Sequence, residues 1–175
     1  MSPTDAFIDL FDRMPELVRD TLAGLDETQL TRRIDPDANT IDWLVWHLAR
    51  VEDDHISRAA AAIGREEFAA QTYTSERFAG RMDLPFPSEA IGYGMTTADV
   101  AQINAPAALL ADYYDAVHLK TRAFLATLTD DDWGRVVDES WDPPVTLLVR
   151  VASVVNDITQ HIGQAAFVRG IIDRD

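Results

Sequence analysis

Apolar residues recur at spacings of three and four along four stretches of this chain, the period of helices that bury one face. Between about Thr4 and Gly24 the stripe is Phe7, Leu10, Phe11, Met14, Leu17, Val18 and Leu22. Thr4 is placed to cap this helix and Gly24 to end it, while Pro15 inside the pattern predicts a kink or a split. The second stretch runs from about Thr40 to Ile63, with Leu44, Val45, Leu48, Val51 and Ile56 inward and Gly64 as its stop. The third runs from about Pro106 to Leu128 behind Asn104, with Leu110, Tyr113, Tyr114, Val117, Thr121 and Phe124 on its inner face. The fourth follows Pro143-Pro144 and runs from about Thr146 to Ile172. It is so rich in Val, Ile and Leu that it is expected to be the most buried element.

Residues 65 to 103 break this rhythm. Pro85, Pro87, Gly80, Gly92 and Gly94 interrupt short apolar runs, which predicts a long crossover carrying one or two short helices. Structureless connections of that length are uncommon in compact domains and are often functional. Thr129-Asp130-Asp131-Asp132 reads as the cap of one further short turn, and Trp141-Asp142-Pro143-Pro144 as a rigid turn. Val136-Val137 and Val145 are too short to predict a sheet. The fold class expected is therefore all-α: one four-helix bundle over residues 1–175, with a long crossover between its second and third helices.

Composition narrows the chemistry. With 175 residues and 47% hydrophobic positions, the chain can bury a core without staples. It has no cysteine, which excludes a thiol nucleophile of its own and a thiolate metal site. Any metal must be held by His, Asp, Glu or backbone oxygen. The net charge of -15, with basic residues scattered, disfavours nucleic acid and anionic membranes as partners. No basic leader and no long apolar span is visible, so a cytoplasmic location is expected.

Asp157 and His161 lie four apart in the fourth helix, on one face and one turn apart. A carboxylate inside Val154-Val155-Asn156-Asp157-Ile158 needs a cation, since a buried unpaired charge is expensive. Its partner is either the imidazole alone, as an Asp–His pair, or a metal shared with it. His47 sits in the apolar run Trp43-Leu44-Val45-Trp46-His47-Leu48, where a histidine is either a satisfied core residue or a ligand. Together His47, Asp157 and His161 could cover one face of a divalent metal and leave positions open; Zn, Ni, Fe and Mn suit such a mixed set. His55 is expected at the rim. No second Glu-x-x-His pattern supports a di-iron centre, and Gly92-Tyr93-Gly94 is too little for a phosphate loop.

Two segments carry a family resemblance: Trp43-Leu-Val-Trp-His47-Leu-Ala-Arg-Val-Glu52 and Asp157-Ile-Thr-Gln-His161-Ile-Gly-Gln164. They resemble the metal-ligand segments of the DinB-like (YfiT-like) metalloprotein superfamily. The most similar branch is an actinobacterial one of undefined function, related to mycothiol-dependent maleylpyruvate isomerases and thiol S-transferases. The resemblance implies a metal held by three side chains, with His47 and His161 at ligand positions. Asp157 departs from the common pattern, which has histidine there. It further implies an enzyme that activates a low-molecular-weight, mycothiol-like thiol at the metal and transfers or isomerises it onto a small electrophile. Asp54, Tyr114 and His118 are the candidates for the pocket wall, and a homodimer is one possibility for such bundles. The alternatives are a non-catalytic dimeric bundle that binds a metal or small ligand, and a metal-dependent hydrolase.

Overall fold

The computed structural model describes residues 2–174; Met1 and Asp175, the ends of the predicted 1–175 domain, lie outside the described residues. The chain is mostly helical. The predicted first helix is split into α1 (Pro3–Asp12) and α2 (Met14–Leu22). The break falls where Pro15 enters the first turn of α2, because proline cannot donate to the preceding turn. A short α3 (Glu27–Leu30) then leads to α4 (Ile41–Ala62). The third and fourth bundle helices are α8 (Ala107–Ala126) and α9 (Leu147–Ile172). α4 packs against both α8 and α9, and the α1–α2 pair closes the other side against the same two helices.

The caps differ from those expected at three ends; Thr40, expected to cap α4, stands at its N-cap position but its side chain makes no capping hydrogen bond. Ser2, not Thr4, caps α1: its Oγ accepts the Asp5 N–H at 3.1 Å and the Asp5 carboxylate accepts the Ser2 N–H at 3.0 Å. Asn104 does not cap α8; its amide donates to Glu27 Oε1 at 2.7 Å and ties the crossover to α3. Thr146, at the expected start of the fourth helix, caps α9 by accepting the Val149 N–H.

Burial is distributed differently from the expectation. Eighteen of the twenty-two residues of α4 are buried, against eight of the twenty-six of α9. α4 is covered by helices on two sides and by the crossover on a third, so its polar residues are buried too. α9 keeps one side open, where Leu148, Val149 and Phe167 are exposed, as are Leu10 and Leu17 of the first stripe. Gly163 faces open space rather than a neighbouring helix.

The crossover is more structured than the sequence suggested. It holds a 3₁₀ turn at Glu66–Phe68 and three short helices, α5 (Thr72–Ser75), α6 (Phe78–Met82) and α7 (Thr97–Val100). Tyr73, Phe78, Met82, Val100 and Ile103 anchor it to the core. A buried carboxylate fixes its near end: Asp53 accepts the N–H groups of Thr72 and Tyr73 at 2.9 and 2.8 Å, the Tyr113 hydroxyl at 3.0 Å and the Lys120 ammonium at 2.8 Å. Fully partnered in this way, the charge is tolerable in the interior.

Two short strands, β1 (Val136–Asp138) and β2 (Val145–Thr146), pair antiparallel, although no strand was expected. Alone they would be too short. They persist because the hairpin lies on α4 and α9, held by Arg135, whose side chain donates to Ile63 O at 2.9 Å. Among the described residues no helix is long and apolar enough to cross a membrane.

Candidate metal centre

His47 projects from α4 and is almost fully buried. One turn earlier, Trp43 stacks on its imidazole at a centroid distance of 4.6 Å. On the other side the crossover passes against it, and the Ile91 carbonyl forms a short hydrogen bond with Nδ1. A carbonyl oxygen can only accept, so Nδ1 carries the proton and Nε2 presents a lone pair. The backbone comes this close only because the next residue is Gly92. Its φ of 106° suits glycine, and a Cβ there would collide with His47 Nδ1. Burial holds the His47 imidazole below its usual pKa, and the neighbouring His161 works in the same direction, against Ile91 and Asp157. The neutral ring is the form that can ligate.

α9 supplies the other two groups. His161 Nδ1 bonds Gln164 Oε1 at 3.1 Å, so its Nε2 is likewise free and faces Asp157. That nitrogen is 3.7 Å from Asp157 Oδ1, too far for a hydrogen bond. The His47 and His161 rings meet edge to face at 4.7 Å, and one ligand atom from each of His47, Asp157 and His161 lies within 4.8 Å of the others. Asp157 Oδ1 is shielded from solvent and has no hydrogen-bond partner. A carboxylate oxygen with neither water nor donor is costly, and a cation among the three groups would satisfy it. Both histidines are held at Nδ1 by an acceptor behind them, the arrangement that orients metal-ligating imidazoles. The residues present therefore fit a divalent cation.

A cavity of about 560 Å³ opens beside this cluster, between α4, the β1–β2 hairpin and the crossover. Asp54, His55, Arg58, Tyr93, Trp141 and Arg150 line it. Its cations are matched by carboxylates: Arg58 lies 2.9 Å from Asp54 and Arg150 lies 2.7 Å from Asp138. A smaller recess shares His55, Tyr93 and Arg150 with the cavity and reaches Asp157. Tyr93 stands at the junction, edge-on to His47 at 5.3 Å and 60% exposed. Burial raises its phenol pKa, and the nearby Asp157 carboxylate adds to the rise. Burial lowers the His55 imidazole, helped by Arg150.

Of the pocket candidates, Asp54 is a cavity wall residue, held by Arg58 and by Gln71, which donates to Oδ1 at 2.7 Å. Tyr114 and His118 are not. Tyr114 is fully buried with its hydroxyl on Glu52 at 2.9 Å, and His118 pairs with Asp12 of α1 at 3.1 Å. α8 packs on the side of α4 that carries Glu52 and Asp53, away from the side where His47 meets α9, so no α8 side chain of that face reaches the cluster. Gln164, Ile91, Gly92, Tyr93 and Trp141 were missed as site residues. The Gly92-Tyr93-Gly94 sequence was the available signal: it marked close backbone approach rather than phosphate binding.

The mycothiol-S-transferase family model matches residues 6–174. A crystal structure of a conserved protein from Enterococcus faecalis superposes with a TM-score of 0.87 and 27% identity, covering 100% of this chain and 99% of that one. No curated protein matches. The resemblance seen in the two histidine-bearing segments thus extends along residues 6–174, and the protein belongs to the mycothiol-S-transferase family.

Proposed function

We propose that this protein is a divalent-metal-dependent transferase that joins a low-molecular-weight thiol to a small electrophile, with His47, Asp157 and His161 as the metal ligands. Family membership supports a mycothiol-related transferase. The observation that carries the metal reading is the solvent-shielded, unpartnered Asp157 Oδ1 beside the free Nε2 sides of two imidazoles. A bound divalent cation would supply a Lewis acid that lowers the pKa of a thiol brought to it.

The chain's own groups do the rest. The Ile91 carbonyl and Gln164 hold the two imidazoles at Nδ1 and so turn both Nε2 atoms toward the cluster. The cavity, with its paired charges and the Trp141 ring, accommodates the remainder of the thiol or its acceptor next to the cluster. With no cysteine in the chain, the sulfur must arrive with the substrate. In the transfer the thiol proton leaves to solvent, sulfur bonds the electrophilic carbon, and any leaving group departs with its electron pair.

Elemental analysis of untagged protein purified without chelators, beside His161→Ala, tests this first. Near-stoichiometric Zn, Ni, Fe or Mn that is lost in the variant is expected. Consumption of a model electrophile should then require both metal and thiol. Turnover with metal but without thiol would instead indicate a hydrolase, and neither metal nor turnover a binding module.

A further inference from the structure

Arg50 is the largest charged side chain in the interior, with no exposure at all, and the transfer reaction makes no use of it. Its most obvious role is as a counter-charge for Asp53, three residues on in α4. That ion pair is present, but it is not what the hydrogen bonds of the guanidinium serve. Arg50 Nη1 is 3.6 Å from Asp53 Oδ2, beyond hydrogen-bond range, and Asp53 is already satisfied by Lys120, Tyr113 and two backbone N–H groups. The directed bonds of the guanidinium go elsewhere. Nη2 donates to Ser88 O at 2.8 Å, Nε to Ala90 O at 3.2 Å, and Nη2 also to Gln71 Oε1 at 3.0 Å. Tyr113 accepts from Nη1 at 3.2 Å, and the ring of Tyr73 lies 4.2 Å from the guanidinium carbon.

Ser88 and Ala90 lie just before the residue whose carbonyl matters. Ile91 O, the next acceptor along the chain, holds His47 Nδ1, and Gly92 then lies flush on the ring. Arg50 is one turn from His47 on the same helix. One rigid side chain of α4 therefore clamps the crossover at two carbonyls, so that a third lands on the imidazole of α4 itself. Through Gln71 the same guanidinium also reaches Asp54 at the cavity wall.

We infer that Arg50 is a positioning residue of the candidate centre: by holding the carbonyls of Ser88 and Ala90 it seats Ile91 O on His47 Nδ1 and so fixes the tautomer that turns Nε2 toward Asp157 and His161. This rests on the reading of His47 as a ligand. Lysine cannot substitute, because one ammonium carries the charge without the planar fork that spans two carbonyls.

The test is Arg50→Lys in the full-length, untagged protein, read three ways. Helicity and thermal midpoint report folding, long-range ¹⁵N NMR correlations report the His47 tautomer in metal-free protein, and competition with a chelating dye reports zinc affinity. The expected result is a folded variant whose His47 ring has lost its single Nδ1–H tautomer and whose zinc affinity is lower by roughly ten- to a hundredfold, as for lost outer partners of metal ligands. A folded variant with the Nδ1–H tautomer and zinc affinity unchanged overturns the inference, as does a wild-type ring protonated on Nε2. Should Arg50→Lys fail to fold, Gln71→Leu removes one partner of the guanidinium and leaves the buried charges in place. It should shift the tautomer ratio and zinc affinity in the same direction, and no shift in either would count against Arg50. Absence of zinc binding by the wild type would defeat the metal reading alone, and the ring tautomer in Arg50→Lys would then decide this inference by itself.

Discussion

His161 and Gln164, three residues apart on α9, face each other so that the amide oxygen holds Nδ1 at 3.1 Å and leaves Nε2 toward Asp157. Gln164 is on the surface and contributes little to the core. Gln164→Leu should therefore leave the thermal midpoint within a degree or two and weaken zinc binding roughly ten- to a hundredfold. Differential scanning calorimetry and chelator competition on the same samples check both halves. Unchanged affinity would remove Gln164 from the centre.

Gly92→Ala should damage the centre from the opposite side. The backbone is in the left-handed region at φ 106°, and the new methyl group would run into His47. Strain of this kind costs about 1–3 kcal/mol. The expected outcome is a lower denaturation midpoint together with a loss of metal affinity, because the imidazole or the loop must move. A control at Gly163, which faces open space, should show neither loss.

Asp157→Asn should have effects of opposite sign on stability and on binding. In metal-free protein the unpartnered, solvent-shielded oxygen no longer carries charge, so the thermal midpoint should rise. Metal affinity should fall, since a neutral amide is a poor ligand for Zn or Mn. A variant that is less stable without metal would show that Asp157 is held by His161 alone. Asp157→His, which restores the residue usual in the superfamily, should keep the metal.

The core gives a pH prediction independent of the site. Glu52 is fully buried on Tyr114, and burial pushes its carboxyl up to about 7 from 4.5. A folded-state pKa above the unfolded one means stability that is complete below about pH 4.5 and is lost as pH rises through about 7. Glu52→Gln retains a hydrogen-bonding partner for Tyr114 without that titration. Its stability relative to wild type should increase between pH 5 and pH 8, by at most on the order of 3 kcal/mol. Urea unfolding at the two pH values measures it, and a pH-independent difference would refute the buried, neutral Glu52.

The bundle is legible because its signals are local: the apolar spacing of each helix, Pro15 at the first break and Pro143-Pro144 before the last helix. The Asp157–His161 pair is legible for the same reason, since the two share a helical face, while joining His47 to it rests on the family resemblance. What lay beyond the sequence were relations between segments distant along the chain. Tyr114 and His118 were assigned to the pocket from the face of α8, but which side of α4 that face meets is decided by tertiary packing on Glu52 and Asp12. The crossover's contribution through Ile91 is a backbone carbonyl, which leaves no mark in side-chain identity except the glycine beside it. The hydrophobicity of α9 exceeds its burial because Val149 and Phe167 occupy an open side that no local signal marks.

The unequal burial of α4 and α9 divides the candidate centre into two mutational regimes. His47 is wedged among Trp43, Ile91 and Gly92 on a helix with almost no free surface, so any replacement must be absorbed by neighbours that cannot move. Asp157 and His161 stand on a helix with one open flank, where a side chain can be exchanged and the helix remain seated. Substitution at either α9 position is therefore expected to disturb the fold less than substitution at His47. Position 157 stands on the tolerant side of this division and His47 on the constrained one.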